Sequence, residues 1–283
     1  MNEPRGAARG LSPLVRTPFT TDIRNQLVVL GSGTSVGVPA LGCGCPVCQG
    51  GHPKNQRTRC SVIAGLPQGN LLIDTSPEMR IQLLRERIGV VHAVAFTHSH
   101  ADHMFGLDDL RLFPFYLGHP VPLYCESKVE DKIRHTFDYA FSEHPESHPG
   151  SRPKLVFHTI STKPFEALGS MVTPLRLHHG PNLEILGFRI GDIAYCTDTN
   201  FLPKETFQRL EGLDVLLLDA LRPRPHVTHF GLEEAIDVAE RIGARQTYFT
   251  HVSHELDHEE TNRQLPTGME LAYDGLRLEL RGN

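Results

Sequence analysis

Four side chains of metal-binding type fall within six residues in Thr97-His98-Ser99-His100-Ala101-Asp102-His103, directly after the strand-like run Ala93–Thr97. Neutral imidazoles and carboxylates suit Zn, Mn or Fe. From a loop at a strand end, His98 and His100 can face one ion while Asp102 and His103 turn towards a second. Similar residues close other β-like runs: His178 and His179 after Met171–Leu177, Asp198 in the run from Ile193, and His251 after Gln246–Thr250. Loops at one edge of a sheet converge in space, so ligands distant in sequence can share a site there. A carboxylate such as Asp198 can bridge two cations, and with one of His178 and His179 the remaining six ligands then divide three to each.

A second cluster, Cys43, Cys45 and Cys48, lies in a glycine-rich stretch. These cysteines are too close together to bridge one another comfortably, and their spacing suits a metal better than a disulfide. A closed tetrahedral site needs a fourth ligand from elsewhere. Cys60, Cys125 and Cys196 lie in strand-like surroundings and read as small buried hydrophobes. His229 stands just ahead of a helix beginning near Leu232, with His226 three residues before it; one histidine in such a place serves equally well as a cap or core residue. Arg57, Arg59 and Arg222 are candidates for gripping a phosphate through bidentate hydrogen bonds. Gly31-Ser32-Gly33 is not followed by the Lys-Ser/Thr of a phosphate-cradling loop, so it reads as a tight turn after an edge strand. Asp74 and Asp219 are expected to support the site through hydrogen bonds.

The elements that must position these groups are legible as short apolar runs at Leu27, Leu71, Ala93, Val121, Lys154 and Val215, which read as strands. Leu232, Ala235, Ile236, Ala239 and Ile242 form one helical stripe, and Ile81, Leu84 and Ile88 suggest another. Ser142–Pro153, rich in Pro, Ser and His, reads as a surface loop. With 283 residues and no internal boundary, a single α/β domain over residues 27–283 is expected, preceded by a flexible lead-in, 1–26. The net charge of -5 argues against a broad grip on nucleic acid. No apolar run is long enough to cross a bilayer, and the first residues lack the apolar core of a secretory signal, which points to a cytoplasmic protein.

The H-x-H-x-D-H signature, followed by His, Asp and His at later strand ends, resembles the metallo-β-lactamase superfamily from about Leu27 to the C-terminus. The resemblance implies a four-layer αββα sandwich with two mixed β-sheets. It assigns His98, His100 and His179 to one metal and Asp102, His103 and His251 to the other, with Asp198 bridging, and it selects His179 over His178. The Cys-x-Cys-x-x-Cys loop, His254 three residues after His251, and Leu265–Gly275 resemble PhnP-type phosphodiesterases. By that likeness, Cys43, Cys45, Cys48 and His254 hold a structural zinc, and His229 faces the substrate as general acid.

The expected protein is therefore an enzyme: a dinuclear phosphodiesterase carrying two Zn or Mn ions and one structural Zn, with Asp102 and His229 as catalytic residues, in which the cations activate a shared water and His229 protonates the leaving oxygen. The resemblance implies a small cyclic phosphate, 5-phosphoribosyl 1,2-cyclic phosphate, as substrate. No stable nucleic-acid or membrane partner is expected, and a homodimer is compatible with the sequence. The rivals are other hydrolases of this fold (a tRNA 3′-processing nuclease, a lactonase or a cofactor-biosynthesis protein) and an inactive metal-binding protein.

Overall fold

The computed structural model describes residues 18–142, 144 and 146–281. Fourteen strands occur among these residues: β1 (Gln26–Gly31), β2 (Ser61–Leu66), β3 (Gly69–Ile73), β4 (Ala93–Ala95), β5 (Val121–Cys125), β6 (Leu155–Thr159), β7 (Phe165–Ala167), β8 (Ser170–His178), β9 (Glu184–Ile190), β10 (Ile193–Cys196), β11 (Val215–Asp219), β12 (Gln246–Thr250), β13 (Met269–Leu271) and β14 (Arg277–Glu279). They form two seven-stranded mixed sheets, ordered β14-β1-β2-β3-β4-β5-β6 and β13-β12-β11-β10-β9-β8-β7. The helices are α1 (Pro46–Gln49), α2 (Met79–Glu86), α3 (Ala101–Met104), α4 (Phe113–Leu117), α5 (Ser127–Thr136), α6 (Lys204–Arg209), α7 (Leu232–Ile242) and α8 (His258–Asn262).

The layering follows from strand periodicity. Side chains alternate across a strand, so a fully apolar strand feeds two cores. In β1, Leu27 and Val29 join Val62, Ile73, Phe188, Tyr195 and Leu217 in the core between the sheets. Val28 and Leu30 point the other way, to Met79, Leu83, Phe96, Val129 and Ile133 beneath α2 and α5. On the far side of the second sheet, Leu216, Leu218 and Phe249 pack against Ala235, Val238 and Ala239 of α7. Helix, sheet, sheet, helix is therefore the order of layers, the αββα sandwich the sequence implied.

Three expectations are corrected. The first strand is not at an edge: β1 pairs with β14 on one side and β2 on the other. Gly31 and Gly33 are needed because the Arg57–Arg59 backbone runs close by; a Cβ at Gly31 would meet the Arg59 carbonyl oxygen at 2.0 Å and one at Gly33 the Arg57 carbonyl oxygen at 2.7 Å. In α2 the inward face is Met79, Gln82 and Leu83, while Ile81 and Leu84 are 59% and 48% exposed, so the proposed stripe lies largely on the wrong side. Finally, Ile23 is buried and Arg24 bridges to Gly65, which places packed chain ahead of Gln26; residues 1–17 of the lead-in lie outside the described residues. Ser142–Pro153 contains no helix or strand among its described residues, as expected of a loop. No helix among the described residues is long and apolar enough to cross a membrane.

Candidate metal centre

β3 runs parallel to β4, and β11 parallel to β12, and these strands lead at their C-terminal ends into Asp74, His98, Asp219 and His251. Two sheets thus turn the same edge towards one hollow. The histidines are oriented from behind. Asp74 accepts hydrogen bonds from the Thr97 backbone N–H at 2.8 Å and the Thr97 hydroxyl at 2.7 Å. Its Oδ2 also accepts from His103 Nδ1 at 2.8 Å. Because the Thr97 hydroxyl donates to Asp74, it accepts from His98 Nδ1 at 2.9 Å. His179 Nδ1 donates to the Thr228 carbonyl at 3.0 Å. With Nδ1 of all three rings engaged as donor, Nε2 is the nitrogen left to face a metal; on His103 an ion would take the place of the proton there.

The ligand atoms of His98, His100 and His179 lie within 4.8 Å of one another, and so do those of Asp102, His103, Asp198 and His251. Asp198 Oδ2 stands 3.2 Å from His103 Nε2 and 3.3 Å from His251 Nδ1. His103 Nε2, His98 Nε2 and His251 Nδ1 are buried without a hydrogen-bond partner. Orphaned nitrogens converging on carboxylates suit a cation, because buried polar groups otherwise find partners. Asp74, Asp198 and His251 adopt φ of 64°, 56° and 59°, a left-handed conformation uncommon outside glycine that clusters at functional sites.

The electrostatics agree with this reading. Burial opposes charge on His103, but Asp198, Asp102 and Asp74 outweigh it and push the ring well above its ordinary value. The pocket thus attracts positive charge at that nitrogen. Burial holds His98 well below the ordinary value and takes His251 down to about 4, leaving both rings neutral. Asp198 stays ionised despite burial, because His251 and His103 hold it well below the carboxylate range. Neutral imidazoles with ionised carboxylates are the protonation states that bind divalent metals.

His229 flanks this cluster. Its ring stacks on His251 at 4.7 Å between centroids and meets His179 edge-on at 4.7 Å. Nδ1 donates to Asp219 Oδ2 at 2.7 Å, an oxygen that also accepts from the Thr199 N–H at 2.7 Å. Burial disfavours the charged ring, but Asp219 more than compensates and raises it to about 9. One ring nitrogen of His229 lies within 4.8 Å of ligand atoms on His179 and Asp198, so it adjoins the ions' position as well. His226 is a neighbour at 5.3 Å. His178 instead pairs with Phe201 across a bridge, with the rings 5.2 Å apart, and is in neither ligand group.

The three cysteines and His254 also come together, their ligand atoms within 4.8 Å of one another. His254 Nδ1 is 3.2 Å from Cys43 Sγ and 3.3 Å from Cys45 Sγ. The Cys48 N–H donates to Cys45 Sγ, which with His254 lowers that thiol to about 6.

All three arginines proposed to grip a phosphate are engaged with groups of the chain itself. Arg57 is 1% exposed; its guanidinium donates to the Ser253 and Leu256 carbonyls and to Asn55, each at 2.9 Å. It pins the loop that carries His254. Arg59 pairs with Glu78 and donates to the Ser35 carbonyl. Arg222 donates to the Arg224 and Pro225 carbonyls, shaping the turn ahead of His226 and His229. The sequence reading missed Thr97, which relays Asp74 to His98, and Asp274. The latter accepts from Ser32 and Thr58, both backbone and hydroxyl, and from Arg85. A threonine inside a strand run and an aspartate near the C-terminus carry no local signal of such roles.

Residues 69–252 match the family model described as beta-lactamase superfamily domain. Among solved structures, a diphosphatase from the PhnP family is similar, with 44% identity and a TM-score of 0.83 over 89% of this chain and 96% of that one. Zn(2+)-bound PqqB from Methylobacterium extorquens, at 22% identity and a TM-score of 0.74, covers 90% of this chain and 100% of its own and shares the fold. A curated relative, an octanoyltransferase of Porphyromonas gingivalis (strain ATCC BAA-308 / W83), is 37% identical over 89% of this chain. The chain spans only about half of that relative's length, 51%. The sandwich and the family match together place the chain in the beta-lactamase superfamily, where it is similar to the PhnP family.

Proposed function

We propose that this chain is a metal-dependent phosphodiesterase acting on a small phosphorylated substrate, with a cyclic phosphate of the 5-phosphoribosyl 1,2-cyclic phosphate type as the first candidate. The observation that carries the reading is the juxtaposition of two ligand groups, sharing the hollow around Asp198, with the buried His229–Asp219 pair at their side. His98, His100 and His179 would hold one divalent ion, and Asp102, His103 and His251 the other, with Asp198 between them. A bound pair of Zn or Mn ions would supply acidified water and neutralise charge on phosphoryl oxygens.

The chain's own residues do the rest. Asp102, at the N-terminal turn of α3, stands 3.3 Å from His103 Nε2 and helps hold the carboxylate-rich side of the site. Asp219 fixes the His229 tautomer and keeps a proton on the ring. His229 can then donate from the nitrogen facing the cluster to a departing alkoxide, a contribution typically worth roughly 10² to 10⁴ in rate. Cys43, Cys45, Cys48 and His254 would hold a structural zinc that ties the glycine-rich loop to the His251 loop. A cytoplasmic location is part of the proposal.

Similarity at 44% identity to a diphosphatase favours a second reading, in which the scissile bond is a phosphoric anhydride. The two separate directly: with Mn- or Zn-loaded protein, hydrolysis of bis-p-nitrophenyl phosphate and of the ribosyl cyclic phosphate supports the diesterase. Turnover of diphosphate-linked substrates alone replaces it with the second reading. No hydrolysis of either class with either metal would sink both.

A further inference from the structure

A cleft of about 410 Å³ lies away from the metal centre, lined by Arg111, Phe115, His119, Arg152 and Lys154 together with Pro114, Gly118, Pro120, Pro149 and Gly150. Its position follows from the topology. β4, β5 and β6 are parallel, and the metal-centre histidines follow the C-terminal end of β4. Pro120 and Lys154 immediately precede β5 and β6, and the Val121 N–H donates to the Lys154 carbonyl, so the cleft opens at the opposite edge of the sheet. Five-residue strands put roughly 15 Å between those edges.

The lining is unusual for a chain of net charge -5, since it contains two arginines, a lysine and a histidine and no Asp or Glu. The carboxylates that pair with these cations are not part of the lining. Asp108 pairs with Arg111 and also accepts from Tyr139, and Glu146 lies 3.7 Å from both Arg152 and Lys154. Arg152 is further fixed by donating to the Ser142 and His144 carbonyls. These contacts pre-set the cations, which reduces the ordering cost of binding an anion. His119 Nδ1 donates to the Pro120 carbonyl at 2.8 Å, leaving Nε2 for a ligand.

The other wall is flat and apolar. Phe115 is 47% exposed, and Gly150, with φ of 81°, lies against its ring so closely that a Cβ would meet ring carbons at 3.0 Å. Three prolines complete the surface. Cations on one side and an aromatic platform on the other are the elements that receive a phosphate and a planar ring, and the volume fits one small molecule rather than a polymer.

We propose that this cleft binds a nucleotide-sized phosphorylated molecule at a site separate from the metal centre. The site does not depend on which bond the enzyme cleaves. The test is calorimetric titration of ADP into the metal-loaded protein, beside Lys154→Glu and Arg111→Glu variants. Lys154 is more than half exposed, so its replacement leaves the fold intact, which a melting curve checks. The expected result is ADP binding that weakens at least tenfold in both variants, while hydrolysis of bis-p-nitrophenyl phosphate in the absence of ADP is unchanged. Absence of ADP binding at millimolar concentration overturns the proposal. So does binding that both variants leave unaltered, which would assign the nucleotide to the metal centre.

Discussion

His229 Nδ1 lies 2.7 Å from Asp219 Oδ2, and that carboxylate is fully buried at the end of β11 with the Thr199 N–H as its other donor. The pair forms a fixed unit beside the ligand groups. A carboxylate that holds one ring nitrogen decides what the other can do. Asp219→Asn should therefore lower kcat about 10- to 100-fold, and His229→Ala more, on an alkyl phosphodiester whose leaving oxygen needs a proton. On bis-p-nitrophenyl phosphate, whose leaving group departs as a stable anion, both losses should be much smaller. Equal losses on the two substrates, with metal content retained, would count against proton donation by His229.

Metal analysis of purified protein should give two ions lost on stripping the His/Asp cluster and one associated with the cysteines. Cys45→Ser should reduce the bound zinc by one equivalent and lower the melting temperature by several degrees, because a structural site contributes its binding free energy to folding. Asp198→Asn should instead deplete the other two. Elemental analysis with thermal melts distinguishes the outcomes.

Arg57 provides a sharper contrast between positioning and substrate contact. Its guanidinium, pushed down to about 10 by burial yet still charged at neutral pH, satisfies two carbonyls of the 253–256 loop. Arg57→Met strands these acceptors and should destabilise by about 2–4 kcal/mol in chemical denaturation. KM of the folded fraction should not move; a large rise in KM with unchanged stability would restore the phosphate-gripping role.

His258 sets a pH dependence of stability. It is buried with Nδ1 unpartnered, and Nε2 accepts from Asn262 at 3.0 Å. Burial, then Lys54, Arg57 and His52, lower the ring to about 4, with Asp257 opposing. The unfolded chain takes up this proton near pH 6.5, so between those values the unfolded state binds more protons. Stability is complete above about pH 6.5 and declines as pH falls towards 4. This group accounts for about 2 kcal/mol at most between pH 7 and pH 5. His258→Gln should flatten that part of the profile in urea titrations; an unchanged slope would remove His258 as its source.

The local chemistry was legible along the chain. His98, His100, Asp102 and His103 are contiguous, and Cys43, Cys45 and Cys48 are closely spaced, so ligand type and spacing could be read without a fold. Strands were legible where apolar runs were unbroken, since β-branched and aliphatic residues fill both faces of a buried sheet. Ile81 and Leu84 misled because a short helix can leave aliphatic side chains exposed at modest cost, and periodicity cannot say which of two faces is covered.

What tertiary structure decided is partnership. Nothing near Arg57 in sequence announces the Ser253 and Leu256 carbonyls nearly two hundred residues away, which divert it from any substrate. The same holds for Asp219 with His229, for Asp74 through Thr97 to His98, and for His179 in preference to His178. Residue types determine which bonds a side chain can make; the crossing of β-sheets and the burial of particular atoms determine which bonds it does make, because only there do distant donors and acceptors lose water and meet.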